Sequence, residues 1–322
     1  MRVAVYGSIF LLFCAVANIA HADKMQERLE PESKGTVGKE QKPSLGGAGV
    51  SKESRLLKEW SPEHEGVAIA HKQNYLLLYA YSSSPNNMPV SPNPDNRVPF
   101  SQLDNRDWKF QVSGKGKLFP VNEKNSIWLA YTQQSFWQIF DSHNSRPFRE
   151  SNYEPEVIWS HRYLGTGRTG LSQSLRVSNF GLVHQSNGQS NPRSRSWNRA
   201  YIQLGFESDL AGGGKVIVMP KIWARFPEDA ATDDNSDITH YLGHGELQVR
   251  YMSSGEKPKF HMLALARARS LQIDMDTPVS GVFPRIKSDF SLHFQLFTGY
   301  GESLLDYNQR HSSFGIGAAL AL

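Results

Sequence analysis

Runs of about ten residues in which apolar and polar side chains alternate constrain this chain more than any other feature, because a period of two is the period of a β-strand. From 197 to 207, Asn198, Ala200, Ile202, Leu204 and Phe206 share one side, and Arg199, Tyr201, Gln203, Gly205 and Glu207 share the other. From 290 to 300 the pattern returns, with Phe290, Leu292, Phe294 and Leu296 opposite Ser291, His293, Gln295 and Gly299. Further candidate strands lie near 74–82, 107–113, 126–138, 155–163, 174–186, 215–225, 244–253, 259–269 and 312–322, separated by Gly, Pro, Asn and Asp clusters. That spacing predicts an all-β protein, sandwich or barrel. A sandwich turns its apolar faces inward and a membrane barrel turns them to lipid, so alternation alone does not choose between the two.

The N-terminus supplies part of the choice. Arg2, an apolar run from Ile9 to Ile19 and the small-x-small triplet Ala20-His21-Ala22 predict a signal peptide over 1–22, cleaved after Ala22. Cleavage would remove Cys14, the sole cysteine, leaving a mature chain without thiol or disulfide chemistry. Residues 23–66 are rich in Lys, Glu, Ser and Gly and bury little, which predicts a flexible polar periplasmic arm. Beyond the signal no apolar run is long enough for a helical membrane span. The net charge of +4 is mild and forms no basic stripe, so nucleic acid is not an expected partner. Export, strands near ten residues and Trp, Tyr and Phe close to strand ends together favour an antiparallel transmembrane β-barrel over 67–322.

Chemistry enters at Val183-His184-Gln185-Ser186-Asn187-Gly188 and Ser194-Arg195-Ser196-Trp197-Asn198-Arg199. His184 and Ser186 lie two residues apart and extend the apolar face of Phe180 and Leu182, and Asn198 begins the apolar face of the next strand. Nucleophile, base and orienting amide would then share one patch, the logic of a serine hydrolase. In a barrel with a polar lumen that patch faces lipid, which points to a membrane glycerolipid as substrate. The polar connection between Ser186 and Asn198 suits the longer extracellular loops of such barrels, near the outer leaflet. A neutral amide as third member avoids burying a negative charge.

These residues resemble the outer membrane phospholipase A family. The resemblance extends to Tyr131-Thr132-Gln133, to Pro147-Phe148-Arg149-Glu150-x-Asn152-Tyr153-Glu154-Pro155, to Thr232-Asp233-Asp234-Asn235 and to Gly299-Tyr300-Gly301-Glu302-Ser303-Leu304. It implies a twelve-stranded barrel in the cell outer membrane that hydrolyses phospholipid acyl esters and is activated by calcium-dependent homodimerisation. By the resemblance Ser186 is the nucleophile, His184 the base and Asn198 the orienting amide. The Gly188 backbone N–H serves the oxyanion, with a calcium-polarised water as second donor. The same resemblance assigns Ca2+ to the Ser194 side chain, the Gln189 carbonyl and the Ser145 carbonyl of a second copy. It places Asp234 at a second calcium position and Gln133 at the dimer contact. Two other readings are open at this point: a passive pore or inactive structural barrel, and an exported soluble esterase of sandwich fold.

Overall fold

The structure, a computed structural model, describes residues 54–61, 68–96, 98, 102–164, 174–254 and 260–320. The expected signal peptide at 1–22 lies outside the described residues, as do 23–53 and 62–66 of the expected arm.

The described residues form an antiparallel sheet of thirteen strands. These are β1 (Ala68–Ala70), β2 (Tyr75–Ser82), β3 (Arg106–Pro120), β4 (Asn125–Trp137), β5 (Phe148–Arg162), β6 (Leu175–Ser186) and β7 (Ser196–Asp209). They continue with β8 (Lys215–Arg225), β9 (Gly245–Met252), β10 (His261–Arg267), β11 (Ser270–Pro278), β12 (Phe290–Gly299) and β13 (His311–Leu320). Strand β13 pairs with β2, and β2 with β3, so the sheet closes on itself. Strand β1 pairs with Gly114–Gly116 of β3, beyond the point where Tyr75 of β2 meets Gln111. The segments β1 and β2 therefore make one interrupted stave, and the molecule is a closed twelve-stranded barrel.

Strand β11 is not among the strands that alternation predicts. Its inward side is Ser270, Gln272, Asp274 and Asp276, which reads as a polar loop when the lumen that receives it is not in view. A turn of only Ala268 and Arg269 also hides the break from β10.

Parity divides the wall into two surfaces. Outward lie Leu129, Phe180, Leu182, Ile202 and Leu296, each 46–48% exposed, and Ile222 at 64%. Inward on the same strands lie Trp128, Asn179, Gln203, Glu207, His293 and Gln295, all buried. A continuous exposed apolar band around a closed sheet needs hydrocarbon as its solvent, which excludes the soluble sandwich.

The lumen is filled. Helix α1 (Arg55–Glu59) sits inside it, with Leu56 and Trp60 packed against Trp128, Ile158, Val177 and Ile217. Glu207 accepts from Ser54 Oγ at 2.8 Å, Arg55 N at 3.1 Å and Leu56 N at 2.9 Å, so one lumen carboxylate takes up orphan donors of the helix start. Arg250 holds Glu59 through two 3.0 Å bonds, and the Lys115 ammonium lies 3.1 Å from the Trp60 ring centroid. Residues 54–61 thus differ from the mobile segment expected of 23–66: few as they are, two large apolar side chains and a lumen-facing carboxylate fix them. Midway along the barrel Glu154 and Glu156 meet Lys72, His71 and Tyr201 at 2.8–3.7 Å. Arg199 and Glu207, which share one side of the 197–207 alternation, both face inward; Arg199 approaches Glu154 at 3.8 Å and Glu207 pairs with Lys215. What remains open is a cavity of about 190 Å³ lined by groups such as Lys72, Gln203, Glu246 and Arg267.

One end of the barrel carries the connections 83–105, 138–147, 187–195, 226–244 and 300–310, with the two longest, 83–105 and 226–244, among them; the other carries 121–124, 163–174, 210–214, 253–260 and 279–289, all shorter than those two. Helix α2 (Ile238–Leu242), within 226–244, packs with Trp197, Trp223, Leu304 and Tyr307 under the loop end.

Candidate active site

The β6–β7 register places His184 directly opposite Asn198 and Ser186 opposite Ser196. All four belong to the outward face, at the loop end of the barrel. His184 is exposed, and Ser186 and Asn198 are half-buried. His184 Nδ1 lies 2.8 Å from Asn198 Oδ1. With the amide oxygen as acceptor, Nδ1 carries the proton and Nε2 is free to receive one, the tautomer that a base acting on a neighbouring hydroxyl requires. The three residues expected to share one patch are therefore brought together, and the apolar neighbours Leu182 and Ile202 are exposed beside them.

Asn198 is held from its far side as well. Its Nδ2 donates to Glu228 Oε1 at 3.3 Å, and its carbonyl accepts from Phe226 N at 2.9 Å. Glu228 follows β8 in the 226–244 connection and is half-buried; burial, and then the nearby Asp233, push its carboxyl above the ordinary value.

The loop from Asn187 to Arg195 is tied by a residue for which the sequence suggested no role of its own. Asn187 is buried, accepts through Oδ1 from Arg195 N at 3.0 Å and Gln189 N at 3.3 Å, and donates through Nδ2 to Arg193 O at 2.7 Å. The signal was its place inside the motif, between nucleophile and glycine. Beyond it Gly188 has φ of 63° and is exposed, and a Cβ there would come 3.0 Å from the Tyr153 ring. Glycine adopts this left-handed conformation at least cost, and its N–H lies two residues after the Ser186 hydroxyl.

The residues expected to bind metal fall into two groups. Ser194 Oγ donates to Asp234 Oδ2, so two positions expected at separate sites meet in one hydrogen bond. Asp234 is buried and also accepts from Asn96 Nδ2 at 2.7 Å through its other oxygen. Gln189 is half-buried in the same loop as Ser194. Hydroxyl, carboxylate and carbonyl oxygens are the donor chemistry of a hard divalent cation, and they suit calcium better than a soft metal. Among the described residues no cluster of three or more His, Cys, Asp or Glu side chains forms a metal centre by itself. Ser145 lies apart, exposed in the 138–147 connection with φ of 61°, where it is open to a second molecule.

Gln133 faces outward on β4. Its Nε2 donates to Ser135 Oγ at 3.1 Å and its Oε1 accepts from Tyr131 at 3.3 Å, so neighbours on its own strand satisfy part of the amide.

Other residues of the shared motifs hold the loop end together. Glu150 accepts from Leu305 N and Ser303 Oγ at 2.8 Å each, and Asn152 Oδ1 from Leu304 N at 3.0 Å. The motif around 147–155 thus carries the motif around 299–304.

Residues 54–320 match the family model described as phospholipase A1. A putative phospholipase A1 of Neisseria meningitidis is 34% identical over 256 residues, covering 77% of this chain and 63% of the relative. The phospholipase A1 of Salmonella typhimurium is 36% identical over 195 residues, 59% of this chain and 61% of the relative. The chain therefore spans less than two thirds of the length of these relatives. Among solved structures, the Salmonella typhi outer membrane phospholipase dimer with bound calcium superposes with a TM-score of 0.63 and 30% identity, covering 80% of this chain and 93% of that one. The match runs from helix α1 in the lumen to the last strand and takes in the whole His184, Ser186 and Asn198 patch, and on that extent the chain belongs to the phospholipase A1 family.

Proposed function

We propose that this protein is a calcium-dependent outer membrane phospholipase that hydrolyses acyl esters of glycerophospholipids and lysophospholipids by a Ser-His-Asn mechanism. The observation that carries the reading is the 2.8 Å contact of His184 Nδ1 with Asn198 Oδ1 on an outward, lipid-facing surface that also bears Ser186. A nucleophile in that position reaches the ester carbonyl of a lipid lying against the barrel and serves a dissolved substrate poorly.

In the acylation step Ser186 Oγ attacks the ester carbonyl carbon while His184 Nε2 takes the hydroxyl proton. Asn198 holds the imidazole in its tautomer and orientation, and the Gly188 N–H donates to the carbonyl oxygen as it becomes negative. Collapse breaks the bond to the glycerol oxygen, which leaves as the lysophospholipid alcohol with the proton returned from His184. Water, deprotonated by the same nitrogen, then cleaves the acyl-enzyme and releases the fatty acid. Ser194, Gln189 and the Ser145 carbonyl of a second copy would hold calcium, with Asp234 beside Ser194, and calcium when bound supplies a polarised water as a further oxyanion donor. The need for a second copy makes the homodimer the active form, with Gln133 at its contact.

The end with the two longest connections, 83–105 and 226–244, would lie at the cell exterior, as in other membrane barrels, and the site would then lie near the outer leaflet. Export would end with cleavage after Ala22, leaving an arm from residue 23 in the periplasm.

Detergent-purified protein should release fatty acid from phospholipid micelles with calcium and cease to do so with chelator, and a sulfonyl fluoride should label Ser186. Release that persists in Ser186→Ala would sink the assignment.

A further inference from the structure

We propose that Glu228 is a positioning residue of the catalytic relay: its carboxylate fixes the Asn198 amide so that Oδ1, and not Nδ2, faces His184. The inference rests on the serine hydrolase reading above and adds a fourth group to it.

An asparagine amide has two ends of almost equal size and opposite hydrogen-bonding character. If the amide of Asn198 turned over, Nδ2 would donate to His184 Nδ1, the ring proton would move to Nε2, and the base would have no lone pair for the Ser186 hydroxyl. An acid in the third position cannot fail in this way, because both of its oxygens accept. An amide needs something behind it that accepts and cannot donate. A carboxylate meets that requirement, and Glu228 Oε1 stands 3.3 Å from Asn198 Nδ2.

The connection after β8 carries Glu228 to this position. Phe226 N donates to the Asn198 carbonyl at 2.9 Å, Pro227 restricts the backbone next to it, and the carboxylate arrives at the amide one residue later. The other charged groups around Glu228 are Arg225, Asp233 and Asp234. Arg225 is engaged elsewhere, with Asp233 at 2.7 Å and the Ser236 carbonyl at 3.1 Å. Glu228 is thereby left to the Asn198 amide.

Kinetics on purified Glu228→Ala and Glu228→Gln beside Ser186→Ala separate this inference from the reading it rests on. Glu228→Ala should lower kcat about tenfold, short of the ~10²-fold loss expected when an acid–base group itself is removed. KM should stay within about twofold, and sulfonyl fluoride labelling of Ser186 should slow in parallel with kcat. Glu228→Gln keeps an acceptor and should recover part of kcat. If Ser186→Ala is inactive while both Glu228 variants keep wild-type kcat and labelling rate, the inference is wrong and the hydrolase stands. A change confined to KM would overturn it equally, and activity in Ser186→Ala would overturn the hydrolase reading itself.

Discussion

His184 and Asn198 face each other across the β6–β7 pair, with Nδ1 and Oδ1 2.8 Å apart on the side of the wall that meets lipid. The ladder sets this separation, since opposed residues of an antiparallel pair have little freedom to move apart. Replacing Asn198 with Ala should leave the barrel folded and the His184 ring free to rotate. The expected result is a fall in kcat of roughly 10²-fold with little change in KM, because the lost contact orients a base and binds no substrate. Steady-state rates on micellar phospholipid check this, and a variant within twofold of wild type would show that the contact is incidental.

Gly188 makes a second test of the same patch. Its φ of 63° and a Tyr153 ring carbon 3.0 Å from the place a Cβ would occupy make Gly188→Ala strained by about 1–2 kcal/mol, and relief would turn the N–H away from the oxyanion. Activity should fall at least about tenfold, toward the ~10²-fold loss of a full oxyanion donor. Gly212→Ala is the matched control: it has φ of 95° and open space around it, in the turn at the opposite end, and should keep full activity.

The shared outward patch of His184, Ser186 and Asn198 was legible from sequence because its geometry is local. Two residues two apart on one strand share a face whatever the rest of the chain does, and the next strand follows directly after one polar loop. Helix α1 was not legible, since Leu56 and Trp60 acquire their meaning from Trp128, Ile158 and Ile217, which are distant in sequence. Strand β11 was obscured because Asp274 and Asp276 face the lumen, where Gln272 and His293 answer them at 2.8–3.1 Å. Glu228 was hidden for a related reason: only the β7–β8 pairing returns the chain to Asn198.

The Ser194 to Asp234 contact bears on the calcium dependence proposed above. Asp234→Asn keeps an acceptor for Asn96 and the side-chain volume but removes the charge next to Ser194. The calcium concentration for half-maximal activity should rise about tenfold, the smaller of the losses usual when a group supporting a metal ligand is changed. Calorimetric titration with calcium should report the same shift without relying on turnover. An unchanged midpoint in both measurements would assign Asp234 to loop structure alone.

Glu302 gives the loop end a pH dependence of defined sign. Its carboxylate accepts from Lys109 Nζ at 2.8 Å, His311 Nε2 at 2.6 Å and Ser313 Oγ at 2.7 Å. Burial by itself would raise this carboxyl, but Lys109 and His311 outweigh it and hold the group well below its ordinary value of 4.5. A carboxyl depressed on folding adds stability that is complete above the unfolded value and is lost as pH falls toward the folded one. Glu302→Gln should therefore cost about 3 kcal/mol at neutral pH, chiefly by leaving the Lys109 charge buried without its partner. The difference from wild type should shrink as pH is taken below the ordinary carboxylate range. Unfolding in detergent micelles at pH near 7 and at steps below about 4.5 measures the gap. A gap that holds constant or widens in acid would mean that the Lys109 to Glu302 pair does not carry the stability of this end of the barrel.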